Sequence, residues 1–421
     1  MALLLASPVH SANINVKDKP PLSATTTPVA MFPPDDRRKL PHEYNALESK
    51  IGMLYEQSTQ TLCTAFCVGP GMIATAAHCL FQPKKNQLPK LNDITFRLSY
   101  GKIYLTSGIA GRNTPYVKNN IAVGTTSFRN EPPLSAPTDW AIVKLERPIC
   151  RFGHFKVEPL SVGDVIRASR KNKIFQVAFH WDNKKWQDKL AYSTPCTVKR
   201  NFKQIKWKFI HNHFVHPEEL ILHLCDTGGA SSGSPILYDP GLPNNPDTPV
   251  VVGINVGTYT RTRILMRRGR IFKRLKPDII ANTGVSSTAF ERVISVMKNA
   301  DIIVSQQDML KLQAELQMRN YYTNKLDGLL GRGTRSAIFK FETANSLPQT
   351  GLPTQALLRR LAQDRGTPSH MFSTARGPIG DPPEIVTLEP APPSQTPPLP
   401  ERKPKELSAP KSENFTPFGD F

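Results

Sequence analysis

The feature that constrains this chain most is the shortness of its apolar runs between residues 49 and 300. Met72-Ile-Ala-Thr-Ala76, Trp140-Ala-Ile-Val-Lys-Leu145, Lys173-Ile-Phe-Gln-Val-Ala-Phe179 and Val250-Val-Val-Gly-Ile254 are strand-sized, and clusters of Gly, Pro and Asn separate them. About 250 residues built this way fit an all-β double barrel, an architecture that runs as one unit at that size. A closing helix is expected over Ala289 to Met297, because Phe290, Val293, Ile294 and Met297 recur at spacings of three and four.

From Ser305 the period becomes helical. Leu310, Leu312, Leu316 and Met318 alternate with polar residues, and a Gly-rich turn spans Leu326 to Gly333. A second helix then carries Ala337, Ile338 and Phe341, and a third carries Leu357, Leu358 and Leu361. Three short helices in about sixty residues make a small all-α bundle. The 39 prolines crowd the first 45 residues and everything after Gly366, a composition that gives extended or disordered tails. The expected organisation is therefore an N-terminal tail at 1–34, a mostly β unit at 35–300, a three-helix unit at 303–363 and a Pro-rich tail at 364–421.

With a formal net charge of +20, the chain is drawn to polyanions. It carries no RNP aromatic pair, zinc-finger spacing or helix-turn-helix to favour a specific nucleic acid. No apolar run approaches eighteen residues, so no transmembrane helix is expected. Met1-Ala-Leu-Leu-Leu-Ala6, followed by Ser-Pro-Val-His-Ser-Ala12, is similar to the back end of a signal peptide that has lost its positive n-region. A truncated export signal and a periplasmic or secreted location are expected; an ordinary frayed N-terminus is the competing reading.

Cys63, Cys67, Cys79, Cys150, Cys196 and Cys225 allow three bridges in fifteen pairings. With no C-x-x-C pair present, disulfides are favoured over zinc.

Acyl transfer by a serine needs a nucleophile, a base to take its proton and a carboxylate to orient the base. Thr75-Ala-Ala-His78-Cys79 supplies a histidine among small neighbours, Asp139 opens the strand Asp-Trp-Ala-Ile-Val-Lys-Leu145, and Ser232 lies in the small-residue turn Ala230-Ser-Ser-Gly-Ser-Pro235. Taken singly, a core histidine, a strand cap and a Ser-Gly loop account for these residues. Taken together they have the chain order His, Asp, Ser. Thr-Ala-Ala-His-Cys, Asp-Trp-Ala-Ile-Val and Ser-Gly-Ser-Pro resemble the three signatures of trypsin-like serine proteases, and the last is similar to the bacterial glutamyl-endopeptidase-like branch. The resemblance covers roughly Asp35 to Met297. It implies a chymotrypsin-like double β-barrel, His78 as general base and acid, Asp139 as its orienter and Ser232 as nucleophile. It also implies backbone N–H groups of Ala230 and Ser232 as the oxyanion hole, and no cofactor or metal. Bridges Cys63–Cys79, Cys196–Cys225 and Cys67–Cys150 are implied in the same way.

The sequence departs from the family at Ala230, where the residue two before the serine is normally glycine. Ser231 replaces the aspartate that receives a freed N-terminus in animal zymogens, and no Ile-Val-Gly-Gly start is present. For specificity the resemblance points to Asp226, Thr227 and Asn255. Asp226 stands six before the serine but also fits a framework role, and Asn255 replaces the pocket histidine of glutamyl endopeptidases.

His211, His213 and His216 with Glu218 read better as a polar edge strand than as a metal site. Arg261 to Lys276 holds eight basic residues in sixteen and reads as a solvated hairpin insertion. In the helical unit, Leu312-Gln313, Leu326-Asp327-Gly328, Gly331, Thr334-Arg335, Ala337, Phe341, Gly351, Leu352 and Leu358 resemble the peptidoglycan-binding domains of wall-lytic enzymes. The expected protein is a serine endopeptidase acting on protein or peptide and held to peptidoglycan through 303–363. A catalytically impaired pseudo-protease serving as a wall scaffold is the rival, with a basic polyanion-binding module behind it.

Overall fold

The computed structural model describes residues 30–363, apart from 85, 101–102, 130, 183, 187–188, 194–195, 242–247, 262–263, 268–269 and 275–277. The expected export signal at Met1 to Ala12, residues 1–29 of the expected N-terminal tail and the Pro-rich tail at 364–421 lie outside the described residues.

The short apolar runs are strands of two seven-stranded antiparallel sheets. In the first, the order is Ile103–Gly108, Thr95–Tyr100, Ile51–Glu56, Thr61–Gly69, Met72–Thr75, Ala141–Lys144 and Ile121–Val123. The sheet curls back on itself where Ile109 bridges Leu145, with Ala110 N donating to Lys144 O at 2.9 Å and Glu146 N to Gly108 O at 3.0 Å.

The second sheet runs Arg38–Lys39, Leu190–Ser193, Ile174–Phe179, Pro235–Tyr238, Val250–Arg261, Asp278–Ser286 and Leu220–His223. It closes through the segment 196–199. Cys196 N donates to Ile174 O, while Val198 bridges His223 on the opposite edge.

Closure explains the sequence pattern. A barrel strand that faces its own interior and a neighbouring layer is buried on both sides, so it is apolar continuously and not at every second residue. All six residues of Ile174–Phe179 are buried, as are Ala141, Ile142 and Val143. One core runs through both sheets, joining Phe66, Phe96 and Ile142 of the first to Phe175, Ile254 and Val285 of the second. Val165, Ile221, Ile236 and Val252 form a separate cluster inside the second.

Three disulfides join Cys63 to Cys79, Cys67 to Cys150 and Cys196 to Cys225, the pairs that the family resemblance implies. Cys63–Cys79 closes a loop of sequence separation 16, worth about 3 kcal/mol on the chain-entropy account. It ties the strand Thr61–Gly69 to the short helix His78–Phe81.

The closing helix is Glu291–Asn299, preceded by the 3-10 turn Ser287–Ala289. The helical unit follows as Gln306–Met318, Arg332–Ala344 and Gln355–Gln363. Met309, Leu312, Leu316, Ile338, Phe341 and Leu361 form its own core. The buried Gln313 amide sets the Gly-rich turn. Its Nε2 donates to Asp327 Oδ1, Leu329 O and Thr334 Oγ1, and its Oε1 accepts from Asp327 N and Gly328 N.

Two expectations need correction. Residues 30–34, assigned to the N-terminal tail, are anchored to the second barrel: Ala30 is fully buried and Phe32 N donates to Asp226. The histidine-rich stretch is not an edge strand. Trp207–Ile210 is a helix and His211–His213 a 3-10 turn. The reason is apolar spacing: Ile210 and Phe214, four apart, are both buried, with His211 and His213 between them less buried. The basic segment does pair as the hairpin Ile264–Arg267 with Arg270–Arg274.

Candidate active site

His78 opens the helix His78–Phe81 directly after the strand Met72–Thr75. Ala76 and Ala77 ahead of it are fully buried, small enough to let the imidazole stand against the strand ends. Asp139 is reached by a 3-10 turn, Ala136–Thr138, that precedes the strand Ala141–Lys144. That strand pairs with Met72–Thr75, so the ends carrying His78 and Asp139 lie side by side.

The carboxylate of Asp139 is wholly buried and holds the histidine twice. Oδ1 accepts the His78 backbone N–H at 2.9 Å, and Oδ2 contacts ring Nδ1 at 2.7 Å. A carboxylate accepts only, so Nδ1 carries the proton and Nε2 is left as the basic nitrogen. The Phe128 ring meets the imidazole edge-on, 6.4 Å between centroids.

Ser232 lies in a pair of consecutive turns. Ser231 N donates to Gly228 O at 3.1 Å and Ser234 N to Ser231 O at 3.1 Å. Each turn has a positive φ at its third residue, +74° at Ala230 and +83° at Gly233, the signature of type II geometry. The first turn is fastened by Thr64, whose Oγ1 donates to Ala230 O at 2.8 Å. The second is fastened by Asn255, whose carbonyl accepts Gly233 N at 2.7 Å. The Asn255 side chain also donates to Ser231 O at 3.1 Å, so one residue holds the junction of both turns.

These turns lie against the histidine motif. Thr64 N donates to Ser232 O at 2.9 Å, and Thr75 Oγ1 donates to Thr64 O at 2.9 Å. A Cβ on Gly233 would come within 2.1 Å of Thr75 Oγ1 and 2.9 Å of Ala76 N. Gly233 of the serine turn is thus packed against Thr75 and Ala76, three and two positions before His78. Among the described residues, the N–H groups of Ala230 and Ser232 have no protein acceptor, whereas those of Ser231, Gly233 and Ser234 are all taken. Backbone donors without a protein acceptor are the kind of group that an oxyanion can use.

The expected specificity residues fare differently. Asp226 is buried and both its oxygens are occupied, by Phe32 N at 2.6 Å and Asp36 N at 2.7 Å. It anchors the N-terminal segment and is not an open pocket base, which corrects its assignment as a specificity residue. Burial and the nearby Asp226 charge push Asp36 up to about 6. Asn255 is committed to the turns and to His223. Thr227 is buried, its N–H donated to Ala30 O at 3.2 Å.

His223 is a residue that sequence reasoning missed. Its Nε2 lies 3.1 Å from Asn255 Oδ1. Because the Asn255 amide nitrogen already donates to Ser231, its oxygen accepts and His223 Nε2 is the donor. Burial lowers the imidazole to about 4, so it is neutral beneath the serine turns.

Among the described residues, one cluster of three potential metal-ligand atoms occurs, at Cys63, His78 and Cys79. Both thiols are consumed in the disulfide, so the cluster has no thiolate to offer. His211, His213 and His216 do not converge: they contact Trp207 O, Tyr259 Oη and Glu218 respectively.

Residues 305–361 match the peptidoglycan-binding domain family. No curated protein matches the chain. Among solved structures it is similar to a Glu endopeptidase in complex with MPD, 15% identical over 64% of this chain and 99% of that one, with a TM-score of 0.37. The family match falls on the helical unit that begins at the Ser305 N-cap. No helix among the described residues is long and apolar enough to cross a membrane.

Proposed function

We propose that this chain is a serine endopeptidase of the cell envelope, working through an acyl-enzyme on Ser232 and held to peptidoglycan by residues 303–363. The observation that carries the reading is the double grip of Asp139 on His78, with the Ser232 turn packed against the same strand end. His78 Nε2 takes the Ser232 proton as Oγ attacks a peptide carbonyl, then returns it to the departing amine. The N–H groups of Ala230 and Ser232 carry the oxyanion, and water releases the acyl group by the same proton path in reverse. Three buried disulfides and the wall-binding match favour export to an oxidising compartment.

A second reading, a catalytically impaired scaffold bound to the wall, draws on one observation: an alanine occupies the left-handed position beside the serine. Incubation with a denatured protein, followed by mass-spectrometric mapping of new termini, separates the two. The enzyme reading expects cleavage that Ser232→Ala abolishes. Well-folded wild-type protein that leaves the substrate intact supports the scaffold.

A further inference from the structure

The helical unit is fastened to the first barrel. Asn119 Nδ2 donates to Ile303 O at 2.7 Å and the Arg335 guanidinium to Lys118 O at 3.1 Å, while Lys144 Nζ donates to Ala300 O at 2.8 Å in the segment leading into the unit. Tyr116 packs on the helical core from the barrel side. Between the two units lies a groove of about 620 Å³. That volume is within the range of small-ligand sites, ~300–1,000 Å³.

One wall is the helix Arg332–Ala344; the other comprises Phe81, Leu88 and residues 123–126. Phe81 ends the helix that His78 begins, and Gly124 N donates to Trp140 O, next to Asp139. The lining residue Phe81 is therefore about one helical turn from His78.

Its charge is one-sided. Among the described residues, Lys118, Arg332, Arg335 and Lys340 line it and no carboxylate does. Arg335 is buried, with its donors given to the neutral carbonyls of Gly351 and Lys118. The nearby Glu342 turns its oxygens to Thr350 and Gly351. The helix Arg332–Ala344 also begins at the groove, and its N-cap, Gly331, supplies no side-chain cap. The positive end of a 13-residue helix thus adds to the four cations. Phe81, Leu88 and Phe339 supply apolar surface beside them.

We propose that this groove binds the carboxylate-bearing peptide of the wall polymer, holding it beside the catalytic cleft. The proposal rests on the protease and wall-binding reading above and assigns the place where the two meet. Free carboxylates sit against Arg332, Lys340 and the open helix end, and the peptide's aliphatic parts lie on Phe81 and Leu88.

The test uses full-length Ser232→Ala protein, titrated with a soluble disaccharide-peptide released from peptidoglycan, once with free carboxylates and once with them amidated. The expected result is binding of the free form that amidation weakens by about tenfold or more, as for a charge-assisted contact. Arg332→Glu combined with Lys340→Glu weakens it comparably. Gly331→Asp is the second variant: the position has φ −87° and ψ 179°, and an added Cβ meets nothing within 4 Å. Aspartate there caps the helix while placing a negative charge in the groove, so binding falls while the fold is kept.

Equal affinity for the free and amidated forms, or affinity unchanged in both charge variants, overturns the groove assignment. Fluorophosphonate labelling of the Arg332→Glu, Lys340→Glu protein with Ser232 intact distinguishes this from failure of the protease reading. Labelling at the wild-type rate with lost binding supports the groove. Labelling lost along with binding assigns the charge changes to the fold and overturns it.

Discussion

Two adjacent turns around Ser232 ask the same thing of the backbone and are answered by different residues. Gly233 and Ala230 occupy the third positions of consecutive turns at φ +83° and +74°. At Gly233 the conformation and the surroundings both demand glycine, since any Cβ would collide with Thr75 Oγ1 and Thr64 O. At Ala230 the Cβ exists and is accommodated, and only the left-handed conformation is costly, at about 1–2 kcal/mol. Thr64 Oγ1 holds the Ala230 carbonyl in place from the core, which is how a strained residue persists. Glycine is therefore required where space forbids a side chain, and is replaceable where strain alone opposes it.

The strongest way to break this comparison is Gly233→Ala. Steric overlap adds to backbone strain, so stability should fall by more than about 2 kcal/mol and fluorophosphonate labelling by at least ~100-fold. Urea denaturation and labelling rates measured on one preparation would check both. A Gly233→Ala protein as stable and reactive as wild type would mean that the two turns do not differ as described.

Acid should act next, through the residue beneath both turns. His223 titrates near 4 when folded, below its ordinary value of 6.5, because burial opposes its charge. Between these values the unfolded chain binds a proton that the folded chain refuses, so the stabilisation present above pH 6.5 is lost as pH falls toward 4. The loss is on the order of 1 kcal/mol per pH unit. His180, lowered to about 3 by burial and by Arg37, works in the same direction. Urea midpoints of the Ser232→Ala protein from pH 7.5 to 4 should show the decline, and His223→Gln should flatten the share belonging to His223. An identical pH slope in that variant would remove His223 from the account.

The smallest effect is expected from Ala230→Gly. Relief of strain is offset by the greater freedom of glycine in the unfolded chain, leaving a change below about 1 kcal/mol. Labelling should rise by less than ~tenfold, because the donors are already held in place. A gain of several hundredfold would show that alanine had disabled the oxyanion turn.

How much of this was legible beforehand follows from the range of each interaction. Strands buried on two faces leave continuous apolar runs, so the two-sheet architecture could be read from Ile174–Phe179 or Ala141–Lys144. His78 and Ser232 stand out in the sequence because each lies in a short run of small residues, and Asp139 because it opens an apolar strand. The anchoring of Ala30–Asp36 was not, since Phe32 and Asp226 meet across 194 positions and nothing local to either marks the contact. For the same reason Asp226 could be placed at the expected spacing from the serine without its carboxylate being open. His223 was missed because its partner Asn255 lies 32 residues away, on a strand that is not its neighbour in the sheet. The helical turn at Trp207–Ile210 was not legible because only Ile210 and Phe214 are buried there, and two positions four apart fit a helix and a strand alike.

The central claim is that Ser232 is an activated nucleophile despite Ala230, and a fluorophosphonate probe tests it most directly. Labelling of the purified full-length protein, followed by peptide mapping, should place one adduct on Ser232, and Ser232→Ala and His78→Ala should each abolish it. Folded wild-type protein that takes up no probe, or a probe found on another serine, would contradict the account.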